Sequence, residues 1–93
     1  MDNREAAAVL SRIAGEYRAM SYEALRGFLG NPVTLTEEGA SGTEYQVEIE
    51  AVWDDRPEHN LRILMSIDDG GLRAFVPMTD DFIVTPDGSF VGE

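Results

Sequence analysis

The chain has no cysteine and no lysine, and it contains a single histidine, His59. Without cysteine there is no disulfide, no thiolate metal site and no cysteine nucleophile. Without lysine there is no Schiff base on the protein and no phosphate-loop lysine. Redox chemistry by the protein alone is therefore excluded, and nothing in the sequence calls for a cofactor.

Long apolar runs are also lacking. No stretch approaches the roughly 20 apolar residues of a membrane span, and the N-terminal segment, which carries Asp2, does not have the apolar core of a signal peptide. We expect a cytoplasmic protein that does not bind membranes. At 93 residues, the size predicts a single domain over residues 1–93.

Positive charge is scarce, and its distribution is uneven. The formal net charge is −11; residues 1–30 hold four acids and four arginines, whereas residues 31–93 hold fourteen acids and three arginines. An acidic surface repels nucleic acid and favours basic proteins or cations. Solubility alone is the alternative explanation.

Apolar residues recur at helical spacing in the first third of the chain. Residues 3–19 form one predicted helix, capped by Asp2 or Asn3, and Ser21 is the predicted N-cap of a second. Gly30 suits the residue after a helix end and Pro32 prevents continuation. Residues 1–30 should therefore form a helical hairpin.

From Val33 the apolar period changes to two, which indicates strands. The alternation is clearest from Tyr45 to Trp53; further strands are expected over 33–38, 61–67 and 72–78, followed by a hairpin over 82–91. The predicted fold is α+β, with two N-terminal helices packed on one face of a four- to six-stranded antiparallel meander formed by residues 31–93.

One hairpin can be given a register. If Asp69 and Gly70 are the loop residues of a type I′ turn, Leu64 faces Phe75. Leu64, Phe75 and Val52 then share the face away from the helices, bordered by Arg62 and Arg73. That face is either a partner surface, a homodimer interface, or covered by the C-terminal hairpin.

Three Asp pairs raise the question of a metal site. None matches an EF-hand loop, and adjacent acids on extended backbone point to opposite faces. Aspartate also favours turns, so we interpret the pairs as turns. The alternative is a calcium-sensitive site formed where Asp54, Asp55, Asp80 and Asp81 meet at one end of the sheet.

Signals for catalysis are weak. His59 lies in a predicted surface loop, and the serines lack a nucleophile-elbow context. We therefore do not expect an enzyme. Trp53, which ends the longest predicted strand, is either core packing or an aromatic anchor for a partner.

The segments "YRAMSYEAL", "WDD", "SIDDGGLRAFVP", "TDDFI" and "PDGSFVGE" resemble a set of small bacterial proteins with no assigned activity. This resemblance implies no active site, cofactor or partner. The function that we expect is a non-catalytic, acidic protein-interaction module, of which an immunity or antitoxin-like protein masking a basic partner is one version. A small enzyme is the least favoured alternative.

Overall fold

The computed structural model describes residues 1–71 and 77–92. Two helices, α1 (Asn3–Arg18) and α2 (Tyr22–Arg26), precede four strands: β1 (Val33–Glu38), β2 (Glu44–Trp53), β3 (Leu61–Asp68) and β4 (Met78–Val84). The strands form one antiparallel sheet in the order β1-β2-β3-β4. This confirms the predicted α+β fold, although α2 has only five residues.

Both helices begin where the sequence predicts. The Asp2 carboxylate accepts a hydrogen bond from the Glu5 amide at 3.0 Å, and the Ser21 hydroxyl accepts one from the Ala24 amide at 3.1 Å. Each bond satisfies a backbone donor that the first helical turn leaves unpaired. Gly30, with φ 71°, follows α2 in the left-handed conformation that favours glycine.

The core lies between the helices and one face of the sheet, called here the inner face. Its fully buried side chains include Ile13, Leu25, Tyr45, Ile63 and Ile67. Burial alternates strictly along β2 and β3, because successive side chains of a strand point to opposite faces. The alternation predicted for these two strands is confirmed.

The predicted hairpin around Asp69 and Gly70 is wrong in its register. Leu64 lies opposite Glu50 on one side and Asp81 on the other, and Ile67 lies opposite Met78, so the strands that pair with β3 are β2 and β4. The predicted partner of Leu64, Phe75, lies outside the described residues, as does Arg73. A two-residue turn was locally plausible, but pairing with β4 decided the arrangement.

The segment Thr79–Asp81 is not a turn as predicted; it lies within β4. The turn at 85–88 is confirmed, since the Thr85 amide donates to the Ser89 carbonyl at 2.8 Å. Beyond it, the Phe90 ring packs edge-on against Phe82 of the inner face, at 5.7 Å between centroids. The C-terminal segment therefore folds towards the helices and does not cover the opposite face.

Candidate functional site

The candidate site is the face of the sheet that points away from the helices, called here the outer face. Register and alternation assign its side chains strand by strand: Thr34, Thr36 and Glu38; Glu44, Gln46, Glu48, Glu50 and Val52; Arg62, Leu64, Ser66 and Asp68; Thr79, Asp81 and Ile83. Helix packing stabilises the other face, so the fold places no requirement on these side chains to be apolar.

Negative charge dominates the outer face. On its four described strands it carries six acids, namely Glu38, Glu44, Glu48, Glu50, Asp68 and Asp81, and one base, Arg62. Two of the acids, Glu38 and Glu44, are directly opposite each other in adjacent strands, an arrangement that disfavours the sheet. These two acids therefore add negative potential without strengthening the pairing of β1 with β2.

Arg62 is engaged within the chain. Its Nε and Nη2 donate to Asp54 Oδ1 at 3.1 and 2.8 Å, and Nη1 pairs with Asp81. The hydrogen bond with Asp54, together with the one to Asp81, raises the pKa of Arg62 above its usual value. This cation is already shared between two carboxylates. In the register, Glu48 lies opposite Ser66 and Glu50 lies opposite Leu64, so neither glutamate has a basic residue opposite it on β3.

A shallow concavity of about 320 Å³ lies on the acidic part of the outer face. Leu64 and Met65 are its apolar lining residues, and in the register Glu50 and Asp81 flank Leu64 on the two neighbouring strands. Glu48, Ser66 and Thr79 complete the rim. An apolar floor with carboxylates on both sides suits a long basic side chain, whose methylene stem can cover Leu64 while its charged head meets an acid.

The four acids of the predicted calcium alternative do not converge. Asp54 and Asp81 meet at Arg62, whereas Asp55 accepts hydrogen bonds from the amides of Arg56 and Asn60 within its own loop. Asp80 lies opposite Met65 on the inner-face register. Among residues 1–71 and 77–92, no group of three or more acidic or histidine side chains is arranged to hold a metal ion.

His59 lies in the loop between β2 and β3. Its Nδ1 is 2.7 Å from Asp55 Oδ2, and its carbonyl accepts a hydrogen bond from the Tyr22 hydroxyl at 2.5 Å. Glu58, which has a positive φ of 66°, pairs with Arg26. These contacts fasten the loop to α2, and in the described part of the chain Asp55 is the hydrogen-bond partner of the imidazole.

The remaining predicted partner-binding residues differ in accessibility. Val52 is 37% exposed and Leu64 is half-buried on the outer face. Trp53 belongs to the inner-face register, packs against the core, and has the Arg26 guanidinium 5.2 Å from its ring centroid. Trp53 therefore contributes to core packing, and its role as an anchor for a partner stays a prediction. Ile83, half-buried beside Arg62, was not predicted as part of this surface.

One polar cluster was not predicted at all. The Glu5 carboxylate accepts hydrogen bonds from the Tyr45 hydroxyl at 2.7 Å, the Ser41 amide at 2.8 Å and the Ser41 hydroxyl at 2.8 Å. It therefore fastens the β1–β2 turn to α1. The sequence carries no local signal for this cluster, because Ser41 and Tyr45 are 36 and 40 residues away from Glu5 in the chain.

Comparison with known proteins gave no family. Neither protein families, curated proteins nor solved structures yielded a match to this chain. Within the described residues, no helix combines the length and apolar character needed to cross a membrane. The feature of the molecule that bears on function is therefore the outer face itself.

Proposed function

We propose that the chain is a non-catalytic docking module whose outer face binds a basic protein. The observation that carries this proposal is the charge of that face, where the described strands hold six acids and a single, internally paired arginine. Complementary charge raises the rate of encounter and selects between partners. The half-buried Leu64 and Ile83 add apolar contact area beside the acids.

An acidic inhibitor that masks the basic surface of an effector, as immunity proteins and antitoxins do, is a version of this function that fits the chain's charge. Such an inhibitor needs a stable scaffold and an exposed acidic face. It needs no cofactor, metal or nucleophile, in keeping with the lack of cysteine and lysine.

The proposal can be tested by affinity capture from extract of the native organism with three baits. The first is the wild-type chain, the second carries Glu48→Gln and Glu50→Gln on the outer face, and the third carries Glu16→Gln and Glu23→Gln on the exposed surfaces of α1 and α2. The second and third baits have the same net charge, so a difference between them reports on position and not on total charge.

We expect the wild-type and helix-variant baits to retain the same basic protein and the outer-face variant to lose it. Capture should weaken as salt rises, because the screening length falls from about 10 Å at 0.1 M to about 3 Å at 1 M. Equal capture by all three baits, or capture indifferent to salt, would refute the outer face as the docking surface.

A further inference from the structure

The free edge of β1 is the second distinctive feature of the sheet. β1 pairs with β2 on one side only, and among residues 1–71 and 77–92 no segment pairs with its other side. The opposite border of the sheet is partly closed, because Val84 bridges to Phe90 and the Val91 amide donates to the Ile83 carbonyl at 2.9 Å. A strand edge left open presents unpaired backbone donors and acceptors.

The register identifies which backbone groups point outwards. The Gly39 amide donates to the Thr43 carbonyl at 2.8 Å, and hydrogen-bonded pairs alternate with non-bonded pairs along an antiparallel ladder. The amide and carbonyl groups of Val33, Leu35 and Glu37 are therefore directed at β2. Those of Thr34, Thr36 and Glu38 are directed away from the sheet.

Charge determines what can pair with this edge. Glu37 and Glu38 lie in β1 itself; Glu37 pairs with Arg12 at 3.6 Å, whereas Glu38 carries its charge on the outer face. A second copy of the chain would bring another net charge of −11. Acidic residues on an edge strand oppose self-association, whereas they attract a basic segment. Charge therefore favours pairing of this edge with a positively charged strand and disfavours pairing with a second copy of this chain.

The outer face beside β1 has room for the side chains of such a strand. Thr34 lies opposite Glu48 and Thr36 lies opposite Gln46, and both threonines are exposed. A strand added next to β1 would be about 4.8 Å from it and about twice that from β2. A lysine or arginine on the added strand can cross a short threonine and reach Glu48.

From this geometry we propose that the edge of β1 binds an extended, basic segment of the partner as a fifth antiparallel strand. This inference rests on the proposed function and adds how the partner is held. Ladder hydrogen bonds from Thr34, Thr36 and Glu38 align the segment, and Glu38 and Glu48 receive its alternate basic residues. Main-chain pairing of this kind supplies affinity, and the side chains supply selectivity.

The test uses a synthetic nine-residue peptide of alternating threonine and lysine, together with two N-methylated forms. One form is methylated at the odd-numbered amides and the other at the even-numbered amides, so all three peptides have the same charge. Binding is followed by amide NMR shifts and hydrogen exchange. The expected result is protection at Thr34, Thr36 and Glu38, with one methylated form losing at least about tenfold in affinity and the other retaining it.

A protein variant tests the same edge. Thr36→Pro removes an amide that no described β2 group needs, whereas Thr36→Val keeps it. We expect Thr36→Pro to weaken peptide binding about tenfold or more and Thr36→Val to change it less than about twofold. Circular dichroism establishes that each variant is folded, and the methylated peptides decide the question if Thr36→Pro is not.

The two proposals fail in different ways. If both methylated peptides bind like the unmodified one, and Glu48→Gln with Glu50→Gln still weakens all three, strand addition is refuted and the acidic docking face stands. If no peptide binds at millimolar concentration, strand addition is refuted. If Glu48→Gln with Glu50→Gln changes neither peptide binding nor capture, the acidic docking face is refuted.

Discussion

The contact between Glu5 and Tyr45 gives a prediction that can be worked out from the structure. Tyr45 has no exposed surface, and its hydroxyl donates to the Glu5 carboxylate at 2.7 Å. That hydrogen bond, with burial and the negative charge of Glu5 adding to it, raises the pKa of Tyr45 from 10.0 to about 12. The perturbation is Glu5→Gln, which removes the charge and keeps the size of the side chain.

In the variant, the pKa of Tyr45 should fall from about 12 towards 10.0, because its largest cause has been removed. Burial persists in the variant, so the value should remain above 10.0. The converse effect acts on Glu5, whose pKa is lowered from 4.5 by hydrogen bonds from Tyr45 and Ser41. The two pKa shifts have the same largest cause, the hydrogen bond between the Tyr45 hydroxyl and the Glu5 carboxylate.

The two shifts set the pH range over which the contact stabilises the fold. Tyr45 binds its proton more tightly in the folded chain, so its contribution is fully present below pH 10.0 and is lost as the pH rises through about 12. Glu5 is the opposite case: its contribution is present above pH 4.5 and is lost as the pH falls through its lowered folded pKa. The variant should therefore lose stability at neutral pH and show a weaker dependence on pH at both extremes.

The assay is carbon-13 NMR of the tyrosine ζ carbons, which separates Tyr45 from Tyr17 and Tyr22. Glu16→Gln is the matched control, since Glu16 pairs with Arg12 on the exposed side of α1 at 3.2 Å. A Tyr45 titration midpoint that is the same in wild type and Glu5→Gln would refute the assignment. Gly39→Ala tests the contact between Glu5 and Tyr45 in a second way, because an added Cβ would lie 2.6 Å from the Glu5 side chain and must displace it.

Three further predictions concern stability. Gly15→Ala should raise the free energy of unfolding by about 0.5–1 kcal/mol, because α1 continues through this position and an added methyl meets no atom within 4 Å. Urea denaturation measures this change, and a loss of stability would contradict the prediction. Leu25→Ala should lower the free energy of unfolding by about 2–5 kcal/mol in the same assay, because this fully buried side chain holds the short α2 on the core. Glu23→Ala, at an exposed position of the same helix, should lower it by less than about 0.5 kcal/mol. Tyr22→Phe should cost about 1 kcal/mol and speed hydrogen exchange in the 54–60 loop, since it removes the bond to the His59 carbonyl; unchanged exchange would show that this bond does not hold the loop.

Local sequence signals were sufficient for the helices and for individual strands. Asp2 and Ser21 accept the capping hydrogen bonds that their positions predicted, and the alternation from Tyr45 to Trp53 is reproduced as alternating burial. These features depend on contacts within a few residues or on one strand's own periodicity. The helix caps and the strand alternation could therefore be predicted without knowing which strands and helices pack against each other.

Strand pairing was the point at which local reasoning failed. "DDGG" is compatible with a two-residue hairpin, but β4 takes the edge of β3 that this hairpin would have used. The same pairing places Asp80 and Asp81 in a strand, where the acids were interpreted as a turn. Two aspartates in succession favour a turn on their own, and the contacts of Phe82 and Val84 with the core outweigh that preference.

By itself, the sequence determined the helix caps, the order of elements up to β3, the two faces of the central strands and the concentration of negative charge in the second part of the chain. Tertiary structure alone decided which strands are neighbours, that Arg62 joins Asp54 to Asp81, that Glu5 holds the β1–β2 turn, and that β1 has β2 as its single strand partner among the described residues. The physical reason is that caps and alternation follow from interactions between residues close in sequence. Edges, ion pairs and polar anchors depend on distances between segments that only packing of the whole core sets.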